Sequence, residues 1–159
     1  MPDDLDQDLA QRLRASGLRV TASRLAVLDA VARQPHADAD GVADVARRRL
    51  GSLSTQAVYN NLHALDRVGL LRRIQPAGGP ARYEARVGDN HHHVVCRVCA
   101  LTCDVDCAIG FAPCLQASDN QGFLVDEAEV TFWGTCERCR GPARPPTKDW
   151  PAPAMPGTR

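Results

Sequence analysis

The feature that most constrains this chain is a pair of C-x-x-C motifs, Cys96-x-x-Cys99 and Cys136-x-x-Cys139, set far apart in the sequence. Each pair can chelate from a tight knuckle, and four thiolates complete the tetrahedral sphere of a structural zinc with no position left open for chemistry. Residues 100–135 separate the pairs, a longer spacer than the roughly 15–20 residues of a usual zinc ribbon. The ion must therefore clasp a whole subdomain, tying its first strand to its C-terminal end. A thioredoxin-like redox reading needs a βαβ setting that the hydrophobic pattern does not supply.

Seven cysteines, an odd number, fit metal ligation in a reducing compartment better than a disulfide framework. The N-terminal "MPDDLDQDLAQRLRAS" alternates charge with leucine, and no segment approaches the ~20 apolar residues needed to cross a bilayer. The expected location is the cytoplasm, with no membrane partner. Formal charge is zero overall, yet Lys and Arg outnumber Asp and Glu 13 to 10 over residues 1–88 and are outnumbered 9 to 6 over 89–159. A basic first half and an acidic second half suggest two domains, the first suited to nucleic acid.

Leu5, Leu9 and Leu13 recur every four residues before Gly17, which predicts a short amphipathic helix. Thr21 is the expected N-cap of a second helix burying Leu25, Leu28 and Val31. A third helix, "ADADGVADVARRRLG", places Val42, Val45 and Leu50 inside. In the fourth, "SLSTQAVYNNLHALDRVGLL", Ser54 caps the start, Val58, Leu62, Leu65 and Val68 form the apolar stripe, and Gly69 supplies the left-handed stop. Its other face carries Thr55, Gln56, Tyr59, Asn60 and His63, the uncharged hydrogen-bonding groups that read base edges in a major groove. Then "LLRRIQPAGGPARYEARV" gives two strand-like runs around a Pro/Gly turn, with Arg72, Arg73, Arg82 and Arg86 expected beside phosphate. Together these segments predict a winged helix-turn-helix domain over residues 1–88.

After residue 88 the pattern turns to period 2 in "HVVCRV", "LTCDVD" and "FLVDEAEVTFWG", with "AIGFAPCLQASDNQ" as a helix between the last two. The fold class is therefore α+β: the winged-helix domain is followed by a small α/β unit over 89–140 that carries the four-cysteine site. Six of the eleven prolines lie from Arg140 onward, and residues 141–159 are expected to be a disordered tail. Along the strand that begins the second unit, side chains alternate, so His91 and His93 share one face while His92 and Cys96 share the other. A second ion held by His91 and His93 would want carboxylates, and Asp104 and Glu84 are available. That nitrogen and oxygen set suits Fe(II), Mn(II) or Zn(II).

Taken together, "GLRVTASRLAVLDAV", "HADADGVADV", "LSTQAVYNNLHALDRVGLLRRI", "ARYE", "HHHVVCRVC" and "GTCERC" resemble, in order and spacing, the ferric uptake regulator (Fur) family of bacterial metal-dependent repressors. The resemblance spans residues 5 to 140. It implies a winged-helix DNA-binding domain, a C-terminal α/β dimerisation domain and a homodimer on an inverted-repeat, AT-rich operator of double-stranded DNA. It puts Cys96, Cys99, Cys136 and Cys139 on the structural zinc, and His36, Glu84, His91, His93 and Asp104 on the regulatory metal. A metal drawing His36 toward the strand residues would close the two domains into the DNA-competent form.

By the same resemblance Tyr59 is a base-contacting tyrosine and Arg19 a basic residue reaching the minor groove. Position 60, an arginine in many members, is Asn60 and implies a different base preference. A further metal site of many members is implied to be absent, its positions corresponding to Asn90, His92, Phe111 and Glu129; His92 is then a surface residue. Asp104, where many members carry glutamate, resembles the peroxide-sensing branch. "CDVDCAIGFAPCL" and "VDEAEVTFWGTC" look like the branch controlling catalase-peroxidase genes.

Cys103, Cys107 and Cys114 remain outside the zinc site as candidate redox thiols, or as small buried hydrophobes. An iron-responsive repressor of uptake genes is the alternative. An enzyme built on the His/Asp/Glu cluster, or a zinc-stapled protein-binding module, would need neither the polar helix face nor the basic hairpin beside it.

Overall fold

The computed structural model describes residues 2–76, 78–89, 91–106, 119–124 and 129–141. Four helices come first: α1 (Pro2–Ala15), α2 (Ala22–Arg33), α3 (Ala39–Leu50) and α4 (Thr55–Arg67). Strands β1 (Ala37–Asp38), β2 (Arg72–Ile74) and β3 (Arg82–Glu84) form one antiparallel sheet in the order β1-β3-β2. A second sheet, in the order β5-β4-β6, holds β4 (His91–Cys96), β5 (Thr102–Asp106) and β6 (Thr131–Gly134), with a short α5 (Glu137–Arg140) after it. The mixed helix and sheet content is the expected α+β class.

Local chemistry explains the helix boundaries. The Thr21 and Ser54 hydroxyls accept from the amides of Arg24 and Ala57, satisfying donors that a helix start leaves open. Helix α3 begins two residues later than its sequence suggests. Ala37 and Asp38 pair with Tyr83 and Arg82 of β3, and the Asp38 carboxylate then caps the amide of Gly41 at 2.9 Å. Gly41 fits closely there: a Cβ would stand 3.3 Å from both Ala37 Cβ and Asp38 Oδ1, a contact that only a small shift of its neighbours would accommodate.

The apolar core sits among the helices. Leu9, Leu13, Leu28, Leu62 and Leu65 are fully buried, and Tyr83 of β3 closes the cluster from the hairpin side. Two positions of the expected stripes differ: Leu5 and Val68 are exposed, each lying at the edge of its helix's contact face. Buried Asp29 joins three helices, since Arg33 Nε bonds one carboxylate oxygen at 2.8 Å and Arg49 Nη1 lies 3.3 Å from the other. Arg49 then reaches Asp6 of α1 at 2.6 Å.

The second sheet is thinner. Antiparallel pairing sets His91 opposite Asp106, His93 opposite Asp104 and Val95 opposite Thr102. Strand β6 runs parallel to β4 on its other side, with Cys96 opposite Gly134. Of the expected final strand, residues 125–128 lie outside the described residues; Thr131–Gly134 is strand, and Phe123 and Leu124 are exposed without strand pairing. Most of the helix expected over 108–121, Cys107, Cys114 and the Pro-rich tail from 142 lie outside the described residues. No helix among the described residues is long and apolar enough to cross a membrane.

Candidate functional site

The sheet register builds the first cluster. Because residues two apart on a strand share a face, His91 and His93 of β4 point the same way as Asp104 across the pair on β5. The chain ahead of β4 adds Glu84, the last residue of β3, and the helical half adds His36 from the turn after α2. His36, Glu84, His93 and Asp104 bring ligand atoms within 4.8 Å of one another. Glu84 Oε2 lies 3.0 Å from His36 Nε2 and 2.9 Å from His93 Nε2, and Glu84 Oε1 lies 3.1 Å from His91 Nε2. Asp104 Oδ1 is 2.7 Å from His36 Nε2 and 3.7 Å from His91 Nε2. Glu84, His91 and His93 are each 1% exposed, so these polar groups are converging where water does not screen them.

His36 is held unusually. Its φ is 61°, in the left-handed region that costs a non-glycine residue roughly 1–3 kcal/mol. Strand β3 fixes it from both sides: the His36 amide donates to Tyr83 O at 2.9 Å and Arg82 Nη1 donates to His36 O at 2.8 Å. Burial pulls the His36 imidazole down, but the Glu84 hydrogen bond and the charges of Asp104 and Glu84 outweigh it, and its pKa lies above the ordinary value. For Glu84 burial pushes upward, the hydrogen bonds from His36 and His93 pull downward, and the net shift is down.

The donor set fits a divalent cation. Asp104 Oδ1 is buried among three imidazole Nε2 atoms, 2.7 Å from His36, 3.6 Å from His93 and 3.7 Å from His91, yet makes no well-directed hydrogen bond to any of them, an arrangement that suits a shared cation better than a proton. Imidazole nitrogens with carboxylates suit Fe(II), Mn(II) or Zn(II).

The second cluster lies at one end of the same sheet. The parallel pairing of β4 with β6 brings Cys96 and Cys136 to that end, and each C-x-x-C turn folds its second cysteine back. All four sulfurs lie within 4.8 Å of one another, and Cys99 Sγ is 3.7 Å from Cys136 Sγ. Zn–S bonds of about 2.3 Å give tetrahedron edges of about 3.8 Å. Amides of Cys136, Cys99 and Val98 lower the Cys96 thiol to about 6. The sulfurs of Cys136 and Cys99 push Cys139 up to about 12, so without a cation the cluster does not hold four thiolates at neutral pH. This four-cysteine cluster has the composition and spacing of a closed zinc site.

Comparison with known proteins decides the family. The model of the "Ferric uptake regulator family" matches residues 15–132. The chain belongs to that family. The transcriptional regulator FurA of Mycobacterium tuberculosis is 58% identical over 132 residues, covering 83% of this chain and 90% of FurA. Ferric uptake regulation protein 1 of Mycolicibacterium fortuitum is 54% identical over 140 residues, covering 88% of this chain and 86% of that protein. The ferric uptake regulator of Pseudomonas aeruginosa, solved with manganese, superposes with a TM-score of 0.64 at 25% identity over 81% of this chain and 98% of its own. This is a Fur-family transcriptional regulator.

On this Fur-family chain, Thr55, Gln56, Tyr59, Asn60 and His63 all lie on the exposed side of α4. Gln56 Nε2 bonds Asn60 Oδ1 at 2.9 Å and Arg47 Nη2 bonds Thr55 Oγ1 at 3.2 Å, so part of that face is pre-oriented. Arg19 is exposed in the turn before α2. Arg72 and Arg82, expected beside phosphate, are half-buried in the hairpin. Arg82 turns in to the His36 carbonyl, and Arg72 Nε approaches Glu84 Oε1 at 3.9 Å, because a buried carboxylate and a strained turn draw both guanidiniums inward. Arg73 is the exposed arginine of this strand.

His92 is also corrected: it is 4% exposed, its ring edge-on to Phe132 at 6.2 Å. Cys103 is exposed on the face opposite Asp104.

Two participants were not foreseen. Asp89 Oδ1 lies 3.0 Å from His91 Nδ1, and Arg86 bonds Asp89 and Asp106 at 2.7 Å each. The D-x-H spacing was the sequence signal for Asp89, while Arg86 had been expected beside phosphate.

Proposed function

We propose that this chain is a metal-dependent DNA-binding repressor acting as a cytoplasmic homodimer. Residues 1–88 form the DNA-binding domain and residues 89–140 the dimerisation domain. The observation that carries the reading is that one ligand cluster draws on both halves. His36 and Glu84 come from the winged-helix half, while His91, His93 and Asp104 come from the second sheet. A cation held by these five residues would supply the positive charge their carboxylates lack and bind the two halves in one arrangement, a population shift toward the DNA-competent form. Cys96, Cys99, Cys136 and Cys139 would hold a structural zinc. Tyr59, Asn60, Gln56 and Thr55 are the base-reading groups and Arg19 the minor-groove contact.

The test is fluorescence anisotropy at fixed salt. Zinc-containing protein with Mn(II) or Fe(II) should bind an inverted-repeat, AT-rich duplex far more tightly than random DNA, and chelation should abolish the difference. Equal affinity for both duplexes would overturn the repressor reading.

The signal we propose is peroxide, with catalase or other oxidative-stress genes as targets. Support comes from Asp104 at a position where many members carry glutamate, and from the exposed Cys103 thiol with Cys107 and Cys114 near it in sequence. Mass spectrometry of iron-loaded protein after peroxide should show oxygen on His36 or His91, or a disulfide among those cysteines. The second reading, an iron-responsive repressor of uptake genes, is favoured by the name of the M. fortuitum relative. It predicts that chelation releases DNA while peroxide leaves the protein's mass unchanged.

A further inference from the structure

We propose that Asp89 is a positioning residue for the regulatory metal, holding the His91 ring so that Nε2 alone faces the ion, and that Arg86 holds Asp89 in place. The proposal rests on the regulatory site assigned above.

The three histidines of that site are not equivalent. His91 Nδ1 lies 3.0 Å from Asp89 Oδ1, whereas His93 Nδ1 is buried with no hydrogen-bond partner. Where a cation takes Nε2, the one ring proton of a neutral His91 sits on Nδ1, and the Asp89 carboxylate accepts it. That leaves the Nε2 lone pair of a neutral ring directed at Glu84 Oε1, 3.1 Å away, and at Asp104 Oδ1, 3.7 Å away. Three acceptors facing one another make sense around a cation. A carboxylate behind a ligating imidazole fixes the tautomer and ring orientation and raises the basicity of the ligating nitrogen.

Asp89 is itself exposed, so something has to hold it. Arg86 Nε donates to Asp89 Oδ2 at 2.7 Å, Arg86 Nη2 donates to Asp106 Oδ1 at 2.7 Å, and Arg86 Nη1 lies 3.8 Å from Asp104 Oδ2. One guanidinium thus joins the connection between β3 and β4 to the far strand of the sheet. The geometry carries a forked donor that suits arginine and that a lysine would not reproduce.

The test uses the full chain with its cysteine site filled by Zn(II), titrated with Co(II) and read by the visible d–d bands of a site without thiolate. Asp89→Ala should weaken Co(II) binding about 10- to 100-fold, with the melting temperature of the Co(II)-free protein unchanged. Asp89→Asn, which keeps an acceptor, should recover part of the affinity. Nitrogen-15 NMR of labelled histidine should show His91 protonated on Nδ1 in the unmodified chain and a mixture of tautomers in Asp89→Ala. Arg86→Gln should weaken binding less, and adding it to Asp89→Ala should cost nothing further.

Co(II) affinity within twofold of the unmodified chain in Asp89→Ala, or His91 protonated on Nε2 in the unmodified chain, would overturn the proposal. His93→Ala separates the two levels of inference. If it abolishes Co(II) binding while Asp89→Ala does not, only the role of Asp89 falls. If it too leaves binding intact, the regulatory site falls with it.

Discussion

The two ligand clusters share strand β4 but are built in opposite ways. The cysteine cluster draws on one sheet, its four sulfurs gathered by two tight turns at a single end. The histidine and carboxylate cluster is assembled from three separate places: the turn after α2, the end of β3, and β4 with β5. A cluster of the first kind reports only whether its own subdomain is folded. One of the second kind depends on how two halves of the chain meet, and that dependence is what a switch requires.

The largest break of this comparison should come from Cys96→Ser. Structural zinc binding contributes on the order of 10 kcal/mol, so thermal melting followed by near-ultraviolet circular dichroism should show the second sheet lost and the helical half retained. Unchanged melting would remove the structural-zinc role. Leu62→Ala breaks the other half: deleting a fully buried leucine should cost about 2–5 kcal/mol in denaturant unfolding while zinc content by mass spectrometry stays the same.

His36→Ala sharpens the contrast. It should abolish the effect of Mn(II) on DNA affinity while light scattering still finds a folded dimer; loss of the dimer would mean the residue serves structure instead.

The smallest effect is in protons. His36 is raised and Glu84 lowered by their mutual contact. In the metal-free protein the His36 contribution to stability is complete below its ordinary value near 6.5 and is lost as pH rises through its raised value. The Glu84 contribution is present above about 4.5 and is lost as pH falls through its lowered value. Between those limits Mn(II) must displace the His36 proton. Calorimetry near pH 6.5 in two buffers of different ionisation enthalpy should therefore detect proton release, and His36→Ala should reduce it.

Much of this was legible in the sequence because it depends on short-range rules. Thr21 and Ser54 cap their helices where hydroxyls precede apolar periodicity. Strand alternation separated His91 and His93 from Cys96, and the pairing of His93 with Asp104 follows from a hairpin closed by the first C-x-x-C turn. What was not legible depends on long-range packing. Arg82 reads as an outward wing residue, yet the strained His36 turn, 46 positions earlier, claims its guanidinium. His92 reads as surface because its neighbour Phe132 lies on a strand distant in sequence. Asp89 is marked in the sequence only by its D-x-H spacing and Arg86 by nothing that ties it to the metal site; the path of the chain after β3 brings them behind His91.

Strand β4 spans six residues, His91 to Cys96, and presents the two clusters on alternate faces. A slip of one position against its neighbours would turn every side chain to the wrong face, removing the histidines from Glu84 and Cys96 from its partner sulfurs in a single error. Two ions with different tastes, one for sulfur and one for nitrogen and oxygen, would then proofread the same strand pairing. A newly made chain that captured both would have its register checked twice, by chemistry that a one-position slip cannot satisfy.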